Sequence, residues 1–292
     1  MRTSDFYAFM RERELIRLRK EEGLDWPWTD DKILQTYKFT NVNREHDRTT
    51  RWMREHWTEP NKDRPLAEQL FNCAFFRYFG TIEFAEAAGW QVAFDNPVVC
   101  KQVIDLAANR LKEKRRVFTG AYVITNQGIS APKQEVVCNL FLSPLWNAAP
   151  NLVELAQVSK SWEVVASELM KLQGFGGSGF MAKEVLQDAI HTPVLEGALD
   201  QNTWCPIGPG ARRGLNRVYE YDIKGKRPFK QLLKELLALF GQRSFHWPSN
   251  YLELDLHMIQ FQLCEFDKYE RVRLGQGRPR SKYKHENLNS VP

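Results

Sequence analysis

Little in this sequence of 292 residues supplies the common ways of building a site. Its five cysteines, at 73, 100, 138, 205 and 264, include no Cys-x-x-Cys pair. The odd count and the spacing argue against a disulfide framework and against a zinc site. His191, His246 and His257 are isolated, without metal-ligand spacing, and read as packing or surface residues. No metal and no cofactor is therefore expected. No run of about 20 apolar residues occurs, and nothing after Met1-Arg2 resembles a secretory leader, so a cytoplasmic protein without a membrane span is expected. A Gly-x-x-x-x-Gly-Lys-Ser/Thr loop is missing, which argues against a self-contained kinase. Strand signals are few; Gly120 weakens the one short candidate, Val117 to Thr125, which reads as a loop carrying Tyr122, Asn126 and Gln127.

Aromatic residues and localised charge are what the chain does have. Nine Trp and eighteen Phe are many for the length, enough for a large core and for base-stacking surfaces. The net charge is only +5, but between Lys268 and Lys284 seven Lys/Arg face the single acid Glu270. That segment carries +6 and leaves the rest near neutral, which favours a polyanionic partner such as DNA.

The periodicity predicts helices throughout. Ser4 to Glu22 is closed by Gly23, and Pro97 to Lys114 is capped by Asn96 with Pro at its first turn. Pro65 to Phe79, Thr81 to Ala88, Gln134 to Leu142, Asn151 to Ala156, Ser161 to Met170, Pro228 to Phe240 and Asn250 to Phe266 complete an all-α count. Leu24 to Asp30 holds two Trp around a Pro, a rigid aromatic loop. Between Leu169 and Ile190 a helix end, a turn with Gly174, Gly176, Gly177 and Gly179, and a new helix follow one another. Backbone N–H groups of such a turn can point at a phosphate. Leu-x-Gly-Phe-Gly before an apolar helix resembles the hairpin of helix-hairpin-helix DNA glycosylases.

The sharpest stretch is Phe39-Thr40-Asn41-Val42-Asn43-Arg44-Glu45-His46-Asp47-Arg48-Thr49-Thr50-Arg51-Trp52. On helical spacing Arg44, Asp47, Arg48 and Arg51 share a face, and Arg beside Asp suits bidentate binding of phosphate or carboxylate. It resembles the signature of the alpha-glutamyl/putrescinyl thymine pyrophosphorylase family, whose helical module is also named for a 5-hydroxymethyl-deoxyuridine DNA kinase. The glycine turn, Trp204 to Asn216 and Leu263 to Tyr269 fit the same resemblance, which spans about Trp26 to Lys284. It implies an all-α, helix-hairpin-helix DNA glycosylase-like fold: one helical domain over 1–266, or two helical lobes, followed by a basic arm over 267–292. Such proteins are associated with hypermodified pyrimidines in phage DNA.

The resemblance implies a set of roles. Asp200 and Glu196 lie where such glycosylases carry their carboxylate, and the choice between them stays open. Lys183 stands where a bifunctional enzyme has its nucleophile, although an exposed helix lysine is the plainer expectation. Asn41, Asn43, Arg44, Arg48, Trp28, Glu265, Asp267 and Lys268 are expected around a base pocket. Gly174, Gly176, Gly177, Gly179, Arg212, Arg213, Arg271, Arg273, Arg278, Arg280 and Lys282 are expected to hold DNA; Gly208 to Arg213 reads as a second phosphate-binding turn. The expected partner is modified, double-stranded DNA with a flipped base. Three functions compete: excision of a 5-hydroxymethyl-derived pyrimidine in anti-phage defence; displacement of pyrophosphate from a modified base by an amine or amino acid, with Asp47 or Asp200 as base; and non-catalytic binding of modified DNA.

Overall fold

The computed structural model of the chain describes residues 1–279 and 281–283. Among these residues the fold is all-α, as expected, with an isolated bridge between Tyr37 and Lys282 as its β-type pairing. The helices are α1 (Thr3–Glu21), α2 (Lys32–Thr36), α3 (Arg48–Trp52), α4 (Leu66–Phe79), α5 (Ile82–Ala88), α6 (Pro97–Lys112), α7 (Lys133–Glu135), α8 (Ser143–Ser159), α9 (Trp162–Leu169), α10 (Phe180–Ala189), α11 (Pro209–Val218), α12 (Phe229–Gly241), α13 (Arg243–His246) and α14 (Leu256–Arg273). Wider π-helical turns, with i→i+5 hydrogen bonds, continue α3 over Met53–Thr58 and α7 over Val136–Leu142. No helix among the described residues is long and apolar enough to cross a membrane.

The chain forms two compact units. The first joins residues 1–47 to 207–292; the second is 48–206. In the first unit α14 is the central helix. Its Phe266 meets Phe6 edge-on at 5.6 Å, and the Tyr7 hydroxyl on α1 donates to the Leu239 carbonyl at the end of α12 at 2.8 Å. Gly208 to Arg213, expected as a turn, is instead the start of α11, with Pro209 in its first turn. Gly214 is there to let α11 lie on α14: a Cβ at that position would come within 2.2 Å of the Leu263 carbonyl oxygen. Helix α14 runs unbroken past residue 266, so the expected basic arm begins inside a helix.

In the second unit α4 is buried from Gln69 to Phe79. Its Phe71, Phe75 and Phe79 stack into a cluster with Phe84 and Phe94. Asn96 caps α6 by accepting from the Val98 N–H at 2.9 Å, the cap that the sequence predicts.

Candidate functional site

The Asn-x-Asn-Arg segment is not one helix. Asn43 accepts the Glu45 N–H at 2.9 Å and starts a single turn, Arg44–His46. Asp47 then takes an extended conformation (φ −71°, ψ 130°), so Arg44 and Asp47 do not continue into α3 as one helical face. The reason is local: Asn and Asp side chains compete for backbone groups and favour turns over helix interiors. Asp47 accepts the Asn41 N–H at 3.2 Å and closes the loop on itself.

Two neighbouring helices hold this loop. Gln262 of α14 donates its Nε2 to the carbonyls of Asn41 and Val42, at 3.2 and 3.0 Å. Arg13 of α1 donates to Thr40 O and to Gln262 Oε1. Burial pushes the Arg13 pKa down to about 10, against the attraction of Glu265 and Asp47, so it stays charged at neutral pH. Glu265 pairs with Lys268 at 2.7 Å, and the Lys268 ammonium lies 4.5 Å from the Phe39 ring centre. The stretches Phe39 to Asp47 and Leu263 to Tyr269 therefore do meet in the first unit. Arg44, however, is buried with its guanidinium 5.0 Å from the Phe261 ring centre, and its neighbours Asn41 and Asn43 serve the loop itself. Arg48 and Arg51 are exposed on α3 in the second unit.

Asp267 collects arginines. Its buried carboxylate accepts from Arg213 and Arg217 of α11, both at 2.8 Å, and lies 3.5 Å from Arg271. Three guanidiniums around one carboxylate leave an excess of positive charge. Arg217 is buried, but the Arg213 and Arg271 side chains are 35 % and 40 % exposed. One turn further, Glu270 is shared by Arg2 and Arg273. Burial would raise the Glu270 pKa, but the hydrogen bonds from Arg273 and Arg2 outweigh it and hold the carboxyl below its ordinary value. Arg212, beside this cluster, has no ion-pair partner among the described residues.

The basic segment beyond α14 returns to the N-terminal part of the same unit. Lys38 N–H donates to Ser281 O, and Tyr283 N–H to Thr36 O, each at 3.1 Å. Lys20 donates to the Tyr283 hydroxyl at 2.9 Å while its ammonium stands 4.4 Å from the Trp28 ring centre. Trp28 thus serves to dock the tail. Arg278 and Lys282 are exposed; Arg280 and Lys284 lie outside the described residues. Among the cavities of this unit, two lie among the described residues near these groups. One of about 660 Å3 is lined by Phe9, Asp31, Tyr269, Glu270 and Arg273 among others, and its Tyr269 hydroxyl already donates to Asp31 at 2.6 Å. The other, about 260 Å3, lies beside His46.

In the second unit, the glycine turn leads into α10 as expected. Gly174 has φ +94°, and a Cβ there would strike Phe141 and the Tyr78 hydroxyl at 2.5 Å. Gly177 and Ser178 face solvent, Gly176 is half-buried and Gly179 is buried. Phe180 is exposed and meets Tyr122 edge-on at 5.2 Å. Lys183 is not an exposed helix lysine. It is buried on α10 with Glu184, Gln187 and Asp188. Asp188 is fully enclosed, accepts from Arg77 Nε and Nη2 (the latter at 2.6 Å), and lies 3.2 Å from Arg54. The attraction of Asp188 overcomes burial and raises the Arg77 pKa further above its usual value. Sequence reasoning missed this network; its one signal is Arg77, the single charged residue in the largely apolar run Phe71 to Phe79.

Asp200 is occupied by structure. Its carboxylate accepts the Trp162 N–H at 2.6 Å, the Glu163 N–H at 3.0 Å and the Ser161 hydroxyl at 2.7 Å. It caps α9 together with Ser161, which accepts from Val164 at 3.2 Å. Glu196 lies on an exposed turn whose N–H donates to Thr192 O. Among the described residues no group of three or more His, Cys, Asp or Glu is placed to hold a metal ion.

Comparison with known proteins gives two matches. The sequence profile of the family described as 5-hmdU DNA kinase, helical domain, matches residues 2–278. A protein of Bacillus phage SP10 named 5-hmdU DNA kinase is 25% identical over 289 residues, covering 90% of this chain and 44% of its own length. The chain thus spans less than half the length of this relative. No solved structure gives a significant match. Of the two names carried by the resembling module, these matches support that of the kinase helical domain. They overturn the expectation of a glycosylase that excises a base by hydrolysis, since the matched proteins are named for phosphoryl transfer. Nor do they support displacement of pyrophosphate by an amine, or a module outside any group-transfer reaction.

Proposed function

The chain belongs to the family of 5-hmdU DNA kinase helical domains, and from that premise we propose that it takes part in phosphorylation of 5-hydroxymethyl-deoxyuridine in DNA, as the domain that holds the acceptor strand. The observation that carries the reading is the arginine cluster on a rigid helix pair. Asp267 fixes Arg213, Arg217 and Arg271, yet its single charge does not neutralise them. A guanidinium held in place by a buried carboxylate loses little freedom on meeting a phosphate and offers it a planar fork. The docked tail adds Arg278 and Lys282, with Lys20 and Lys38 beside it. Phosphate contacts of this kind position a nucleic acid without reading its sequence. The proposed role of this chain is therefore to fix the DNA backbone while the 5-hydroxymethyl group is presented for transfer.

A competition experiment tests this. A limiting amount of duplex containing 5-hydroxymethyluracil is phosphorylated by a 5-hmdU DNA kinase in the presence of labelled ATP, and the purified chain is titrated in. The expected result is a fall in label transfer as the chain sequesters the acceptor, relieved by more modified duplex. Undiminished transfer at saturating chain contradicts the role.

A further inference from the structure

We propose that the cavity of about 260 Å3 beside His46 receives a flipped 5-hydroxymethyluracil base, with Phe245 as the wedge that fills the vacated stack. The inference rests on the acceptor-strand role above and names its base-recognition site. Glu14, Arg17, His46, Asn250, Tyr251 and Leu252 line the cavity. Its volume is below the roughly 300–1,000 Å3 usual for drug-sized ligands. A single pyrimidine ring with a small substituent suits it; a nucleotide does not.

Unsatisfied polar atoms at its wall set it apart from the larger cavity. Glu14 is 3 % exposed. One of its carboxylate oxygens is held by Arg17 Nη2 at 2.6 Å, but Oε2 is buried and has no hydrogen-bond partner. His46 Nε2 is likewise buried without a partner. Burying such atoms unpaired is costly, and that cost is recovered when a ligand supplies the missing partners. A uracil ring offers complementary groups: two carbonyl oxygens that accept and one N3–H that donates. The 5-hydroxymethyl group adds a hydroxyl that does both. Glu14 is the natural acceptor for an N–H or O–H, His46 and Asn250 can bond the ring edge, and Tyr251 offers a face for stacking. His46 belongs to the sharpest stretch of the sequence, and only its backbone N–H, donating to Asn43 O at 3.2 Å, serves the turn.

The segment on one rim has the form of a wedge. Phe245 is 85 % exposed, the most exposed of the large apolar side chains among the described residues. The short helix α13 that carries it is held from both sides nonetheless. Trp247 N–H donates to Arg243 O at 2.7 Å, its indole donates to Leu252 O at 2.9 Å, and its ring meets Tyr251 edge-on at 5.3 Å. Arg11 holds the other side through the His246 carbonyl at 2.6 Å. An exposed aromatic two residues before Trp247, which contacts the lining residues Tyr251 and Leu252 of a base-sized cavity, suits a protein that unstacks one nucleotide and holds the gap open.

The test uses a duplex with one 5-hydroxymethyluracil, its thymine twin, and copies of each with 2-aminopurine next to the target. Affinity and 2-aminopurine fluorescence are measured for the full chain and for Glu14→Gln, Asn250→Ala and Phe245→Ala. Asn250 and Phe245 are exposed, so these two variants keep the fold even if Glu14→Gln does not. Expected for Glu14→Gln and Asn250→Ala is a loss of roughly tenfold in preference for the modified duplex, about one hydrogen bond, with thymine-duplex affinity unchanged. Phe245→Ala should abolish the fluorescence rise on both duplexes. A wild-type preference that all three variants retain, with the fluorescence rise intact, overturns the pocket and leaves the acceptor-strand role standing. No wild-type preference, with salt-dependent binding of both duplexes, likewise overturns the pocket alone; no salt-dependent binding of either duplex overturns both.

Discussion

Arg217 and Asp267 meet between α11 and α14, Nε to Oδ1 at 2.8 Å, with both side chains buried. Arg213 takes the other carboxylate oxygen at the same distance. The pair has a structural end and an exposed end. Removing the carboxylate leaves buried, uncompensated guanidinium charge, so Asp267→Asn should cost about 3–5 kcal/mol of stability. Arg213→Ala, at the exposed end, should cost under about 1 kcal/mol and weaken DNA binding instead. Urea unfolding and DNA titration of the two variants separate these effects; equal stability losses would contradict the division.

The cap formed by Asp200 yields a prediction opposite to that of a catalytic acid. With three bonds to the start of α9, Asp200→Ala should lower stability by about 1–2 kcal/mol. Binding of modified DNA should be unchanged below the new melting temperature. A variant of wild-type stability that has lost function would restore a chemical role for this residue.

Glu270 gives a pH signature. Its folded pKa lies below the ordinary carboxylate value of about 4.3, because the bonds from Arg273 and Arg2 outweigh burial. Its contribution to stability is therefore complete above the unfolded pKa and is lost as pH falls through the folded one. Urea midpoints from neutral pH to about pH 2.5 should fall less steeply for Glu270→Gln than for the wild type. Parallel curves would show that the carboxylate is not coupled to folding.

The docked tail and the end of α14 predict a salt effect. Substituting Arg271, Arg278 and Lys282 together by Ala should weaken DNA binding at low salt. It should also reduce the slope of log K against log salt by roughly 2–3, as expected when three phosphate contacts are removed. An unchanged slope would place the DNA elsewhere.

The all-α fold was legible in the sequence because its signals are local: the Asn96 cap with Pro97, and the apolar run Leu66 to Phe79. The site was only half legible. Thr40 to Asp47 and Leu263 to Lys268 were visible as unusual stretches, and Gln262 and Glu265 do hold the loop. Its shape was not visible, because Asn43 and Asp47 spend their side chains on backbone N–H groups and break the helix that the arginine spacing suggests. Gly208 to Arg213 starts a helix where a turn was expected, for a different reason. Glycines that allow close helix packing look in sequence like glycines of a phosphate-binding turn, and only the Leu263 carbonyl beneath Gly214 distinguishes them. The buried ion pair of Arg77 with Asp188 joins residues 111 positions apart, beyond the reach of periodicity.

The most direct test of the acceptor-strand role is the affinity of the purified chain for two duplexes that differ only in one 5-hydroxymethyluracil against thymine. It is measured by fluorescence anisotropy at several salt concentrations. The account predicts that both duplexes bind with the same strong salt dependence, and that the modified one binds about tenfold more tightly at every salt, the gain from one additional hydrogen bond. Equal affinities would contradict the base pocket, and binding that is insensitive to salt would contradict the acceptor-strand role itself.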